Sequence, residues 1–193
     1  MKNTGTFVTW IAIFVAGFLS GVGFSAWKLD TSSESVSKAQ TNVQAAPDQI
    51  SEIRNRIAGL EKMVIAQPNN VDAVVQLAND YFDVGDYEKA VEIYQKAITL
   101  DPNNTDAMTD MGVAYRRLKR PDDSVAAFRK ALSARPDHAL ALFNMGIVLK
   151  DDLKKPDEAL AAWEKFLEVA QDSPHSVMVK PWVQQLKDSL GKK

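Results

Sequence analysis

The sequence repeats with a period of 34 residues, and this constrains the fold more than any other feature. Ala90-Val-Glu-Ile-Tyr-Gln-Lys-Ala-Ile-Thr-Leu-Asp-Pro-Asn-Asn104 returns as Ser124-Val-Ala-Ala-Phe-Arg-Lys-Ala-Leu-Ser-Ala-Arg-Pro-Asp-His138. Small residues recur at Ala90 and Ser124, aromatics at Tyr94 and Phe128, alanines at Ala97 and Ala131, prolines at Pro102 and Pro136. Upstream, Leu77-Ala78-x-x-Tyr81 matches Met111-Gly112-x-x-Tyr115. Apolar residues at helical spacing on either side of the turn at Gly85 predict two helices per unit, helix A then helix B, and neither can bury its apolar face alone. Small residues at Ala78 or Gly112 and at Ala90 or Ser124 let the two backbones approach, while the aromatics fill the space beside them. The proline after helix B stops it before the next unit.

These marks at this period resemble the tetratricopeptide repeat (TPR). The resemblance implies an all-α solenoid of about three repeats with flanking capping helices. Repeat 1 covers 71–104 and repeat 2 covers 105–138. Repeat 3, 139–172, is irregular: it has Leu142, Met145 and Gly146 in place, gains one residue before Lys155-Pro156, and carries Trp163 in the aromatic slot. Gly85-Asp86 is the expected turn of the first hairpin. Pro121 should open helix B of the second, with Asp122 and Asp123 favourable to its dipole.

The flanks read as caps. Ile50, Ile53, Ile57, Leu60 and Val64 recur at spacings of three and four, predicting an amphipathic helix over 48–67 that opens at Asp48. Pro68-Asn-Asn70 lies 34 residues before Pro102-Asn-Asn104, so this helix occupies the helix B slot of a degenerate preceding unit, although Arg56 stands where a small residue belongs. A coiled-coil contact is the other reading. At the far end, 174–193 places Val179, Trp182, Val183, Leu186 and Leu190 at helical spacing, a terminal helix with Trp182 laid on the last hairpin.

Ahead of the caps, a short tail (1–6) precedes an uncharged run, Phe7 to Trp27, bordered by Trp10 and Trp27. A helix of that length matches the ~30 Å hydrocarbon core, and a single transmembrane anchor is expected. Residues 28–47, rich in Ser, Thr, Gln and Ala, read as a flexible tether. The short N-terminal tail favours a single-pass inner-membrane protein with its repeats in the periplasm. Within the run, Gly21-Val-Gly23-Phe-Ser-Ala26 matches a dinucleotide fingerprint but lacks the strand-to-helix turn that gives the motif its chemistry. Gly17-x-x-x-Gly21 is ordinary in a span.

The net charge of −2 gives no compositional argument for nucleic acid, and the absence of cysteine excludes disulfides and thiolate chemistry. His138 and His175 sit beside helix breaks without neighbouring ligands, and no catalytic motif appears. Asn103-Asn-Thr105 reads as turn chemistry. The chain is expected not to be an enzyme and to need no cofactor, metal or small-molecule substrate.

The family resemblance implies that positions 2, 5, 9 and 12 of each helix A face a concave groove. Position 5 gives Val75, Thr109 and Phe143; position 9 gives Asn79, Val113 and Ile147; position 12 gives Phe82, Arg116 and Lys150. Position 2 gives Asp72, Asp106 and Leu140. The slots that clamp a partner's terminal carboxylate hold Val75, Asn79, Asp110, Leu140 and Asn144, of which only Asn79 fits. The expected groove has an apolar floor with two cations, Arg116 and Lys150, and takes a partner segment anchored chiefly at Phe143. Alternatively, the terminal helix covers that floor and the cations are merely solvated. The function expected is a membrane-tethered protein–protein interaction module, an adaptor or assembly factor. A structural or oligomeric component of a membrane complex is the alternative. The architecture is also loosely similar to TPR subunits of bacterial cytochrome c maturation.

Overall fold

The structure, a computed structural model, describes the backbone of residues 34–191 and the side chains of 49–191. The tail 1–6, the expected span 7–27 and the start of the tether lie outside the described residues. Among those described, no helix is long and apolar enough to cross a membrane. The chain divides between Val43 and Gln44, and the packing below concerns the part from Gln44 onward.

Helix α1 spans Glu34–Ala66. It starts well before Asp48, so helical backbone takes the place of the latter part of the expected tether. Polarity suggested a tether, yet Ala39, Gln40, Gln44, Ala45 and Ala46 are all good helix formers. Three hairpins come next: α2 (Val71–Asp83) with α3 (Tyr87–Leu100), α4 (Thr105–Arg117) with α5 (Pro121–Ala134), and α6 (Ala139–Ile147) with α7 (Pro156–Val169). A π turn, Val148–Asp152, extends α6, and α8 (Pro174–Leu190) closes the array.

Local chemistry repeats with the same period. Asn70 Oδ1 accepts from the Ala73 N–H at 3.1 Å, and Asn104 Oδ1 accepts from the Ala107 N–H at 2.9 Å, each satisfying a first-turn donor of an A helix. At the A-to-B turns, the Asp86 N–H donates to the Tyr81 carbonyl at 2.9 Å, and the Arg120 N–H to that of Tyr115 at 3.0 Å. Each of these bonds closes a Schellman motif around a left-handed residue. Those residues are Gly85 (φ 84°) and Lys119 (φ 59°).

The third hairpin must fit one more residue into this turn. A plain α-helical insertion would rotate the next helix by about 100°. Instead the Leu153 N–H donates to Val148 at 3.0 Å and the Lys155 N–H to Leu149 at 2.7 Å, widening the last turn. Val148 and Leu149 both stay buried, and Lys154 (φ 55°) takes the left-handed place.

The small residues work by contact. A Cβ added at Gly112 would lie 2.6 Å from the Phe128 ring, and one at Gly146 would collide with Trp163. Ser124 donates its hydroxyl to the Gly112 carbonyl at 2.7 Å, so this buried pair is mutually satisfied. Trp163 likewise donates its Nε1–H to the Phe143 carbonyl at 3.1 Å.

At the N-terminal end, Ile57, Leu60 and Val64 of α1 are buried in the core, while Ile50 is exposed. Arg56 occupies a slot meant for a small residue because its guanidinium leaves the interface for Asp80 on α2, holding both carboxylate oxygens at 2.6 Å. At the other end, Val179, Val183 and Leu186 of α8 are buried, and Trp182 lies 5.1 Å from Trp163.

Candidate functional site

Two hollows adjoin on the face formed by the A helices. The first, of about 320 Å³, is lined by Asn79, Phe82 and Asp83 of α2, Tyr94 of α3, and Asp110 and Val113 of α4. The second, of about 550 Å³, is reached across Val113 and lined in part by Tyr87, Arg116, Arg117, Lys119 and Asp152. Phe82 and Tyr87 meet edge to face at 5.1 Å.

Tyr94 fills the B-helix aromatic slot and is almost wholly buried, but a buried phenol needs a partner for its hydroxyl. It donates to Asn79 Oδ1. Burial, and then the nearby Asp110 and Asp83 carboxylates, push its pKa above the ordinary phenol value, so it remains a donor. Asp110 projects into the same hollow. Burial first, and then Asp106, push its carboxyl up to about 6. Among the described residues, no hydrogen bond or ion pair satisfies this carboxylate. Across Val113 the charge reverses. Arg116 donates its Nε–H to Asp152 at 2.5 Å, and Arg117 one position on is exposed.

The expected groove residues separate into three groups. Asn79, Phe82 and Val113 meet in the first hollow, and Val113 and Arg116 line the second. Val75 and Ile147 are half-buried against the core and line neither hollow, while Lys150 pairs with Asp151 at 2.7 Å within the π turn. Two residues require correction. Thr109 is buried, and its hydroxyl donates to the Thr105 carbonyl at 2.8 Å, satisfied within its own helix. Phe143, expected as the main anchor, is buried under the terminal helix, with His175 at 4.5 Å and Trp182 at 6.5 Å. In the third repeat, therefore, the terminal helix covers the floor, the alternative arrangement for this groove.

Asp83 and Tyr94 occupy none of the family's groove positions, and Asp110 stands at a clamp slot whose usual residue it does not match, yet all three line the first hollow. One signal was available: repeat 1 places a tyrosine where repeat 2 has Phe128, and the additional hydroxyl needs a polar neighbour. Among the described residues, no group of acids and histidines is placed to hold a metal ion.

Two family profiles, both described as Tetratricopeptide repeat, match residues 75–139 and 140–173. No curated protein matches the chain at a significant level. Among solved structures, the chain is similar to MamA at 24% identity and a TM-score of 0.63, over 70% of this chain and 77% of that one. It is also similar to the first TPR of Spaghetti (RPAP3) bound to the HSP90 peptide SRMEEVD, at 23% identity and a TM-score of 0.57, over 63% of this chain and 95% of that one. A third likeness is to the type III secretion chaperone SycD of Yersinia enterocolitica, in complex with a peptide of the translocator YopD. There identity is 17% and the TM-score 0.58, over 63% of this chain and 94% of that one.

Proposed function

Because this chain belongs to the tetratricopeptide repeat family, we propose that it is a protein-interaction module whose first two repeats hold a segment of a partner protein. The carrying observation is Asp110, a half-buried carboxylate that lines an open hollow and has no hydrogen-bond or ion-pair partner among the described residues. Partial burial disfavours its charged form, and a donor from a partner segment would offset that cost better than the water that reaches it in the free chain. That the RPAP3 and SycD structures hold peptides supports the reading. The uncharged run from Phe7 to Trp27 supports a role at a membrane; we further propose that the repeats act on the periplasmic side, as an adaptor or assembly factor.

A photo-cross-linking residue in place of Val113, in the full chain in cells, should give a discrete protein adduct. The same residue in place of Lys130, exposed on α5, should give none. Equal labelling at both positions would remove the groove from consideration. The alternative, an oligomeric component joined through α1, draws on Ile50, Met63 and Ile65, which α1 leaves exposed. Light scattering on the detergent-solubilised full chain, with and without Ile65→Lys, separates the two readings.

A further inference from the structure

Resting on that reading of the groove, we propose that the first hollow receives a basic side chain of an extended partner segment. An acidic side chain about three residues along the partner then meets Arg116 and Arg117. Asp83 and Asp110, from two different helices, line one hollow, and the cations Arg116, Arg117 and Lys119 line or flank the next. Val113 borders both, so the two charge signs adjoin along one continuous surface with an apolar residue between them.

A lysine or arginine head suits the first hollow on three counts. It supplies the donors that Asp110 lacks, in a charge-assisted form that is stronger than a neutral bond. Its aliphatic stem can lie along Phe82 and Val113, keeping the charged head beside the carboxylates. The Phe82 ring on the wall of the hollow favours a cation and offers nothing to an anion.

Spacing comes from the helix. Asp110 and Arg117 are seven residues apart on α4, nearly two full turns, so they share one face at about 10 Å along the helix, with Arg116 on the adjoining strip. An extended chain covers that distance in about three residues. Asp152 already engages Arg116, so an incoming carboxylate shares that arginine or turns to the exposed Arg117.

The test uses the full chain in detergent and fluorescein-labelled peptides carrying Lys-Ala-Leu-Glu, or the reverse Glu-Leu-Ala-Lys, in a Gly-Ser frame. Anisotropy should show that one order binds. Replacing its lysine by norleucine, of like length without charge, should weaken binding by about tenfold or more, the scale of one charged hydrogen bond. Asp110→Asn should lose a similar factor toward the lysine peptide and almost none toward the norleucine peptide. Arg117→Gln should discriminate glutamate from glutamine peptides in the same manner. Thermal melts showing Asp110→Asn no less stable than the parent would separate lost binding from lost folding. Equal affinity for lysine and norleucine peptides, or equal losses for both in Asp110→Asn, would overturn the proposal. So would a failure of both peptide orders to bind, while the Val113 cross-link judges the groove independently.

Discussion

The first two repeats and the third carry the same helical hairpin but treat their concave faces in opposite ways. Between α2 and α4 the face stays open, with polar groups around Asn79 and Asp110. At the third repeat it is filled from within by Phe143, Trp163, Phe166 and Trp182, with ring centroids 5.1 to 6.5 Å apart in the pairs that meet. The slot that holds Val75 and Thr109 in the first two units holds Phe143 in the last. Its fate depends on the next element: another A helix comes after repeats 1 and 2, whereas α8 comes after repeat 3 and brings Trp182 and His175. A groove position is thus defined by the neighbour as much as by the repeat.

The largest effect should come from breaking the filled end. Trp163→Ala removes a fully buried ring that touches Gly146 and Trp182 and donates to the Phe143 carbonyl. A loss of about 3–5 kcal/mol is expected, as for large aromatic truncations in cores. Urea unfolding followed by circular dichroism measures it. Hydrogen exchange should rise in α6 to α8 well before α2 and α3, because stability in a solenoid passes between neighbouring units.

The open end should respond in the other direction. The folded pKa of Asp110 lies near 6, above its ordinary 3.8, so the native chain retains a proton that the unfolded chain releases between those values. Ionised Asp110 therefore opposes folding above about pH 6, and the penalty fades as pH falls toward 4. Asp110→Asn should stabilise the protein by about 2 kcal/mol at pH 7.5 and by almost nothing at pH 4. Urea midpoints at the two pH values decide this, and a pH-independent gain would mean that the carboxylate charge is not the cause.

Between these lies Trp182, which is only half-buried. Trp182→Ala should cost about 2 kcal/mol, below the range for a fully buried ring. It should also uncover Phe143 and convert the third repeat toward the open form of the first two. Dye binding to newly exposed apolar surface provides the readout, and a variant that destabilises without gaining dye binding would show that α8 recloses over Phe143.

The features legible in the sequence are those that depend on the hairpin itself. The period, the close approach at Gly112 and Ser124, Pro121 at the head of α5 and the turn at Gly85 are all set by neighbours within one unit. The inserted residue of repeat 3 was also visible, though not that a π turn would absorb it. Groove residues were harder because they depend on longer-range neighbours. Phe143 matched a groove position yet lies in the core because of α8, and Thr109 is occupied by a carbonyl four residues back in its own helix. Asp110 stands one position from a groove slot, and its importance comes from partial burial and a carboxylate without a protein partner among the described residues. Neither property is carried by spacing.

The smallest effects concern the turns, where the repeats can be compared residue by residue. Gly85, Lys119 and Lys154 each take the left-handed conformation, but only the first is the residue that tolerates it freely. A side chain there costs about 1 kcal/mol or slightly more, and glycine gives back part of that gain through its more mobile unfolded chain. Lys119→Gly should therefore stabilise by roughly 0.5 kcal/mol, and Gly85→Ala should destabilise by about 1 kcal/mol. Lys154→Gly should gain less than Lys119→Gly, because Lys154 donates its ammonium to the Asp151 carbonyl at 2.7 Å and glycine forfeits that bond. Thermal melts of the three variants rank them. An equal gain at Lys119 and Lys154 would mean that the Lys154 bond adds nothing to the wider turn, leaving the π turn to hold itself through Val148 and Leu149 alone.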